Sequence, residues 1–337
     1  MTLFARLASI ALLLAGLVTP AVAQDARPVL TVYTYSSFAG EYGPGKVVKE
    51  RFENQCGCTL DWVTGDDGAL LLTRLKLEGN RSPADIVLGF DTSLAATAEA
   101  TGLFAPHGIE ATGLDLPFAW ASTTFLPYDW GWFGFVYDKT KLASPPNTLA
   151  NLVAAPDSLR IVIEDPRTST PGLGLLLWVK SVYGDKAEDA WRKLKPKIVT
   201  VTKGWDEAYG LFQKGEADMV LSYTTSPAYH IAVDKTDKYA AVIFPEGHYP
   251  QIELAGMLKS SKHPELARDF LRFMLAAPFQ SAIPETNWMY PATAAGGRLP
   301  ASFVGLPVPT KTLLLPADQV GQNREAWIDE WLKAMGS

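Results

Sequence analysis

Short apolar runs alternate with helix-patterned segments along this chain, and that alternation restricts it to an α/β fold. Val29-Leu30-Thr31-Val32-Tyr33, Asp85-Ile86-Val87-Leu88-Gly89 and Arg160-Ile161-Val162-Ile163 have the length and β-branched content of buried strands. Val47, Val48 and Phe52 form a helical stripe between the first two. His263-Pro264-Glu265 opens a later helix with a polar cap, a proline in the first turn and an acid at the positive end of the dipole. Leu266, Phe270 and Met274 then recur every fourth residue. Val320, Trp327, Ile328, Trp331 and Leu332 suit one packed face of a C-terminal helix. Pro145-Pro146 marks a loop, and 127–131 reads as a connector between lobes. No internal repeat and no low-complexity segment is visible.

The first stretch sets the compartment. Arg6, the apolar run Leu7 to Val18 and the small-x-small triplet Ala21-Val22-Ala23 predict a secretory signal peptide over 1–23, cleaved after Ala23. The run is too short to span a bilayer, which takes about 20 residues. Residues 24–337 then fit two lobes, since domains run about 100–200 residues. The net charge of −6, with no Lys/Arg run, argues against nucleic acid as a partner. Only two cysteines are present, Cys56 and Cys58 around Gly57. In an oxidising compartment they can pair; two free thiols, or one reactive thiol, are the other readings. The four histidines, at 107, 230, 248 and 263, show no metal-ligand spacing, so no metal site is expected.

The turns after the strands carry the chemistry. Met219-Val220-Leu221 runs into Ser222-Tyr223-Thr224-Thr225-Ser226-Pro227-Ala228-Tyr229, a strand end rich in hydroxyls and aromatic faces. Ligands in α/β sheets bind just beyond such carboxyl ends; a polar turn with two surface tyrosines is the alternative. Tyr33 to Ser37 follow the first strand, and Asp66-Asp67-Gly68 precede an apolar helix over 69–77. Asp165 to Gly172 follow the third strand, where Ser169 or Thr170 can cap a helix whose free N–H groups attract a hydroxyl or phosphate. Lys203-Gly204-Trp205 opens another helix, and Trp288 sits in a late loop. Both indoles suit either a pocket or the core.

Taken together, these turns resemble those of the periplasmic substrate-binding proteins of type II, and within them the thiamine-binding group of ABC transporters. The likeness rests on Leu30 to Tyr35, Asp165 to Leu177 (DPRTSTPGLGLLL), Val199 to Leu211 (VTVTKGWDEAYGL), Leu221 to Ile231 (LSYTTSPAYHI) and Asn287 to Pro291 (NWMYP), and it runs over nearly the whole of 24–337. The resemblance implies a two-lobed α/β fold, each lobe a mixed sheet flanked by helices, with a ligand cleft between lobes. Its expected division is 24–127 plus about 246–284 for lobe 1 and 128–245 plus about 285–337 for lobe 2. The implied ligand residues are Tyr35, Asp67, Gly68, Ser169, Thr170, Trp205, Tyr223, Thr224, Thr225, Ser226, Tyr229 and Trp288. Asp67 is chosen over Asp66 because it adjoins the glycine.

The resemblance also implies what these residues meet: thiamine or its mono- and diphosphate, passed by a monomer in the periplasm to an ABC permease, with no cofactor. Aromatic faces suit the thiazolium cation, at about 0.5–2 kcal/mol per good contact. Two rivals remain. A ferric-ion binder of the same fold would use Tyr223 and Tyr229 as phenolates. A thiaminase-like enzyme would need a nucleophilic cysteine in a pocket turn, where none is found.

Overall fold

The computed structural model describes residues 27–336. The expected signal peptide and its cleavage point lie outside the described residues. Among the described residues, ten strands form one sheet: β1 (Val29–Tyr35), β2 (Thr59–Gly65), β3 (Ile86–Asp91), β4 (Leu126–Asp138), β5 (Ile161–Glu164), β6 (Ile198–Thr202), β7 (Met219–Tyr223), β8 (Tyr239–Ala241), β9 (Pro250–Met257) and β10 (Tyr290–Pro291). The spatial order is β2-β1-β3-β9-β4-β7-β5-β6, with β8 and β10 also paired to β4.

One five-stranded pattern occurs twice in this order. In β2-β1-β3-β9-β4, three parallel strands are followed by two antiparallel ones. In β6-β5-β7-β4-β8 the same sequence of directions recurs. β4 serves both halves: Leu126 to Trp132 pair with β9, and Phe133 to Tyr137 pair with β7. Residues 127–131, read as a connector between lobes, are the first part of this long strand shared by the two halves. Pro127 is accommodated at an irregularity in the β4–β9 register, between Pro127 and Asp129, one of the few places a sheet tolerates proline.

Helices cover both faces. Gly45–Cys56 and Pro264–Met274 pack together on the first half, with the Phe52 ring 5.0 Å from that of Phe270. Cys56 and Cys58 are bonded to each other at the end of the first of these helices. His263 occupies the N-cap of Pro264–Met274 but makes no side-chain cap hydrogen bond. The long helix Ala317–Gly336 spans the two halves. Gly321 lies against Ala96, Trp331 meets Trp191 edge to face, and Glu330 pairs with Lys180 at 2.9 Å. Val320, Trp327, Ile328 and Trp331 are buried there, with Leu332 half-buried beside them. The largest of the apolar clusters among the described residues consequently runs from Leu71 and Leu94 through Phe133 and Trp178 to Trp331. No helix among the described residues is long and apolar enough to cross a membrane.

Candidate ligand site

The carboxyl ends of the two sets of parallel strands surround one cavity of about 380 Å³. Tyr35 ends β1 and Tyr223 ends β7; Asp67 follows β2, Thr170 follows β5 and Trp205 follows β6. Ser226, Tyr229 and Trp288 complete the lining contributed by the expected residues. Gly68, Ser169, Thr224 and Thr225 do not line it. Gly68 lies where an added Cβ would sit 2.3 Å from the Gly89 carbonyl oxygen, so only glycine admits that close approach. Thr224 and Thr225 are buried, the first packed over Gly134 and the second against Met289.

The aromatic groups are held, not loose. Trp205 opens the helix Trp205–Gln213 after Gly204, and its Nε1–H donates to Ser222 Oγ at 2.8 Å. Its indole stacks on Tyr209 with centroids 4.8 Å apart. Ser222 and Ser226 share a hydrogen bond of 2.8 Å, and Ser226 Oγ also accepts from the Tyr223 N–H. The Tyr223 ring stacks on Phe133, and its hydroxyl donates to Gln251 Oε1 at 3.1 Å. Burial, then Glu253, raises the Tyr223 hydroxyl well above its ordinary pKa. Tyr229 and Trp288 meet edge to face at 5.5 Å. Trp288 has φ +58°, a left-handed backbone that an aromatic residue rarely adopts.

Two groups of buried acids underlie these rings. Asp67 caps the helix Gly68–Glu78 through the Gly68 N–H at 2.7 Å. The same carboxylate accepts from Ser169 Oγ at 2.8 Å and Thr170 Oγ1 at 2.9 Å, tying the β2 turn to the β5 turn. Ser169 in turn caps the helix Thr170–Tyr183 through Gly172 N–H. Burial raises the Asp67 pKa against these three donors. The second group is Glu253 on β9 and Asp129 on β4, direct cross-strand partners. Tyr35 donates to Glu253 Oε2 at 2.8 Å, and the Asn287 amide donates to Asp129 Oδ2 at 2.6 Å. Glu164 lies behind Asp67, wholly buried, with burial and then Asp67 raising its pKa.

Glu253, Asn287, Asp206 and Tyr209 line the cavity without having been singled out from the sequence. The signal for Glu253 was available: a lone acid inside the otherwise uncharged strand Pro250–Met257, every residue of which is buried. Asn287 lies in the segment Asn287 to Pro291, directly beside Trp288.

A family model for bacterial extracellular solute-binding proteins matches residues 36–281. The chain belongs to that family. This solute-binding protein is 54% identical over 314 residues to the thiamine-binding periplasmic protein of Brucella abortus, covering 93% of this chain and 94% of the relative. It is 56% identical over 310 residues to the protein of the same name from Escherichia coli K12, covering 92% and 94%. A solved periplasmic thiamin binding protein superposes with a TM-score of 0.90 at 55% identity, covering 92% of this chain and 96% of that one. The fold is therefore the two-lobed type II arrangement of that family, with mixed sheets flanked by helices.

Proposed function

We propose that this solute-binding protein captures thiamine in the cavity and delivers it to an ABC permease. The observation that carries this reading is the 54–56% identity, over more than nine-tenths of both chains, to proteins named for thiamine binding. The cavity suits that ligand. Tyr35, Trp205, Tyr223, Tyr229 and Trp288 offer ring faces to an aminopyrimidine and to a fixed thiazolium cation. Thr170 and Pro171 bring the start of the helix Thr170–Tyr183 to the cavity wall; its first-turn donors are already taken by Asp67 and Ser169, so it offers the hydroxyethyl arm, or a phosphate carried on it, the helix dipole without a direct N–H bond. Thiamine mono- and diphosphate are accordingly proposed as further ligands. The periplasm is the proposed compartment, reached by cleavage after Ala23, and a monomer is the proposed state.

The role is capture and transport, not catalysis. Cys56 and Cys58 are consumed in one disulfide, which leaves no thiol nucleophile for a thiaminase-like step. Ferric binding would need Tyr223 as a phenolate, whereas burial beside Glu253 opposes its ionisation. The proposed hinge divides 24–127 plus about 246–284 from 128–245 plus about 285–337, with β4 running through it. Titration of the mature protein with thiamine, followed by Trp fluorescence, should show sub-micromolar affinity with strong quenching. Absence of binding below about 1 mM, an affinity worth only about 4 kcal/mol, overturns the reading.

A further inference from the structure

We propose that Glu253, backed by Asp129, is the cation-reading group of this cavity, and that a cationic ligand enters in exchange for one proton shared by the two carboxyls. The proposal rests on the thiamine reading and adds to it which residue recognises charge and what binding does to protons.

Asp67 is the acid that its place beside Gly68 brings to notice, but its acceptor positions are already filled. The Gly68 N–H and Thr170 Oγ1 take Oδ1, and Ser169 Oγ takes Oδ2. Glu253 differs. It is 4% exposed, it lines the cavity, and its donors, Tyr35 at 2.8 Å and Asn287 at 3.3 Å, both fall on Oε2. Asp129 is fully buried behind it, and no hydrogen-bond partner reaches Asp129 Oδ1.

No cation is among the groups that act on Glu253; Arg324, the cation on this side, is set against Asp91. Facing Glu253 are the hydroxyls of Tyr35 and Tyr128, the Asn287 amide and the Asp129 carboxyl, with Asp67 and Tyr223 further off. Asp91, its cross-strand neighbour on β3, spends its carboxylate on the N–H groups of Ser93 and Leu94. None of these groups is a cation. Two ionised carboxylates side by side in a dry site repel each other and lack solvation, so one proton is retained between them. Burial pushes Asp129 up to about 7. Burial, with the Asp129 carboxyl next, raises Glu253 well above the ordinary range.

The exchange balances. Without ligand the pair holds one proton and carries a single negative charge. With a monocation bound and the proton released to solvent, two negative charges meet one positive charge. The net charge of the site is the same before and after, so the buried site acquires no uncompensated charge. A neutral ligand of the same shape has no such exchange partner and releases no proton. Tyr35 and Asn287 act as positioning residues, since their donors fix the carboxyls.

The test is calorimetric titration of the full mature protein with thiamine at pH 7, in two buffers of different ionisation enthalpy. The wild type should release a substantial fraction of one proton per thiamine, with affinity rising as pH rises through neutrality. E253Q mimics the protonated carboxyl in shape; it should release none and bind about ten- to hundredfold more weakly. D67N should still release the proton. Thiamine binding by the wild type with buffer-independent enthalpy, or unchanged release by E253Q, overturns the proposal. Failure of the wild type to bind thiamine at all defeats the thiamine reading first. The acid pair is then decided on the free protein by infrared spectroscopy. A protonated-carboxyl band at neutral pH in both the wild-type-minus-E253Q and the wild-type-minus-D129N difference spectra, which cancel the other buried acids such as Glu164, supports the pair, and its absence from either overturns it.

Discussion

Trp288 shows at the scale of one residue what the cavity demands of the backbone. Its φ of +58° is left-handed, which costs an L-residue about 1–2 kcal/mol, and the ring this places against Tyr229 lines the cavity. Replacing it by glycine or by alanine removes the same ring, yet only glycine accepts the backbone freely. At an ordinary position alanine is the more stable choice by about 0.4–1 kcal/mol. Here urea unfolding should find Trp288→Gly at least as stable as Trp288→Ala, while both bind thiamine more weakly. A clear advantage for alanine would mean that the position carries no strain. Trp205→Ala and Tyr223→Ala should each weaken thiamine binding by about 1–3 kcal/mol, the range of a desolvated cation–π contact with its lost burial. Wild-type affinity in both would remove these rings from the ligand. The aromatic residues were legible in the sequence because they sit next to recognisable strand ends. Glu253 was not, because its meaning comes from Asp129, which lies on a different strand and is brought opposite it only by the β4–β9 register.

At the scale of the element, β1, β3 and β5 were visible as apolar runs, whereas β4 was obscured by Pro127, Gly131 and Gly134. Those residues look like breakers but answer to packing: Pro127 sits at a register irregularity, Met289 covers Gly131 and Thr224 covers Gly134. The same pairing of β4 with β9 places two acids directly opposite each other, an arrangement that destabilises a sheet when both are charged. This gives a pH dependence of definite sign. The folded-state pKa of Asp129 is raised to about 7, above its value in the unfolded chain. Its contribution to stability is complete below about pH 4 and is fully lost once pH has risen through 7, because between those values the folded state holds a proton the unfolded chain has released. An amide in place of this carboxyl cannot ionise and suffers no such loss. Asp129→Asn should therefore gain on the wild type progressively from about pH 4 to pH 7, by up to about 4 kcal/mol, and hold that gain above pH 7. Urea unfolding of the ligand-free proteins across that range is the check, and a difference that is flat or shrinks with pH would contradict it.

For the whole molecule, the question is what biases the two halves toward each other before ligand arrives. The sequence divided the chain into two lobes but carried no information about the contacts across the cleft, since these join turns far apart in the chain. Asp67 reaches Ser169 and Thr170, the Leu70 N–H donates to the Thr168 carbonyl at 3.3 Å, Ser36 donates to Asp206 at 2.9 Å, and Lys203 pairs with Asp66 at 3.1 Å. All of them are made by the protein's own groups. A ligand can only add its differential affinity to a balance that these bonds already set. The Lys203–Asp66 pair is exposed, so its own worth is about 0.2–1 kcal/mol, enough to change a closed-to-open ratio up to about fivefold. Lys203→Glu turns the attraction into repulsion without altering the cavity lining. Small-angle scattering of the ligand-free variant at low salt should show a larger radius of gyration than the wild type, and thiamine should return it to the wild-type value. Binding should weaken by less than about tenfold, and the difference should fade at high salt as the charges are screened. Identical scattering and affinity at low salt would mean that this contact does not set the balance, leaving the buried Asp67 bridge as its seat.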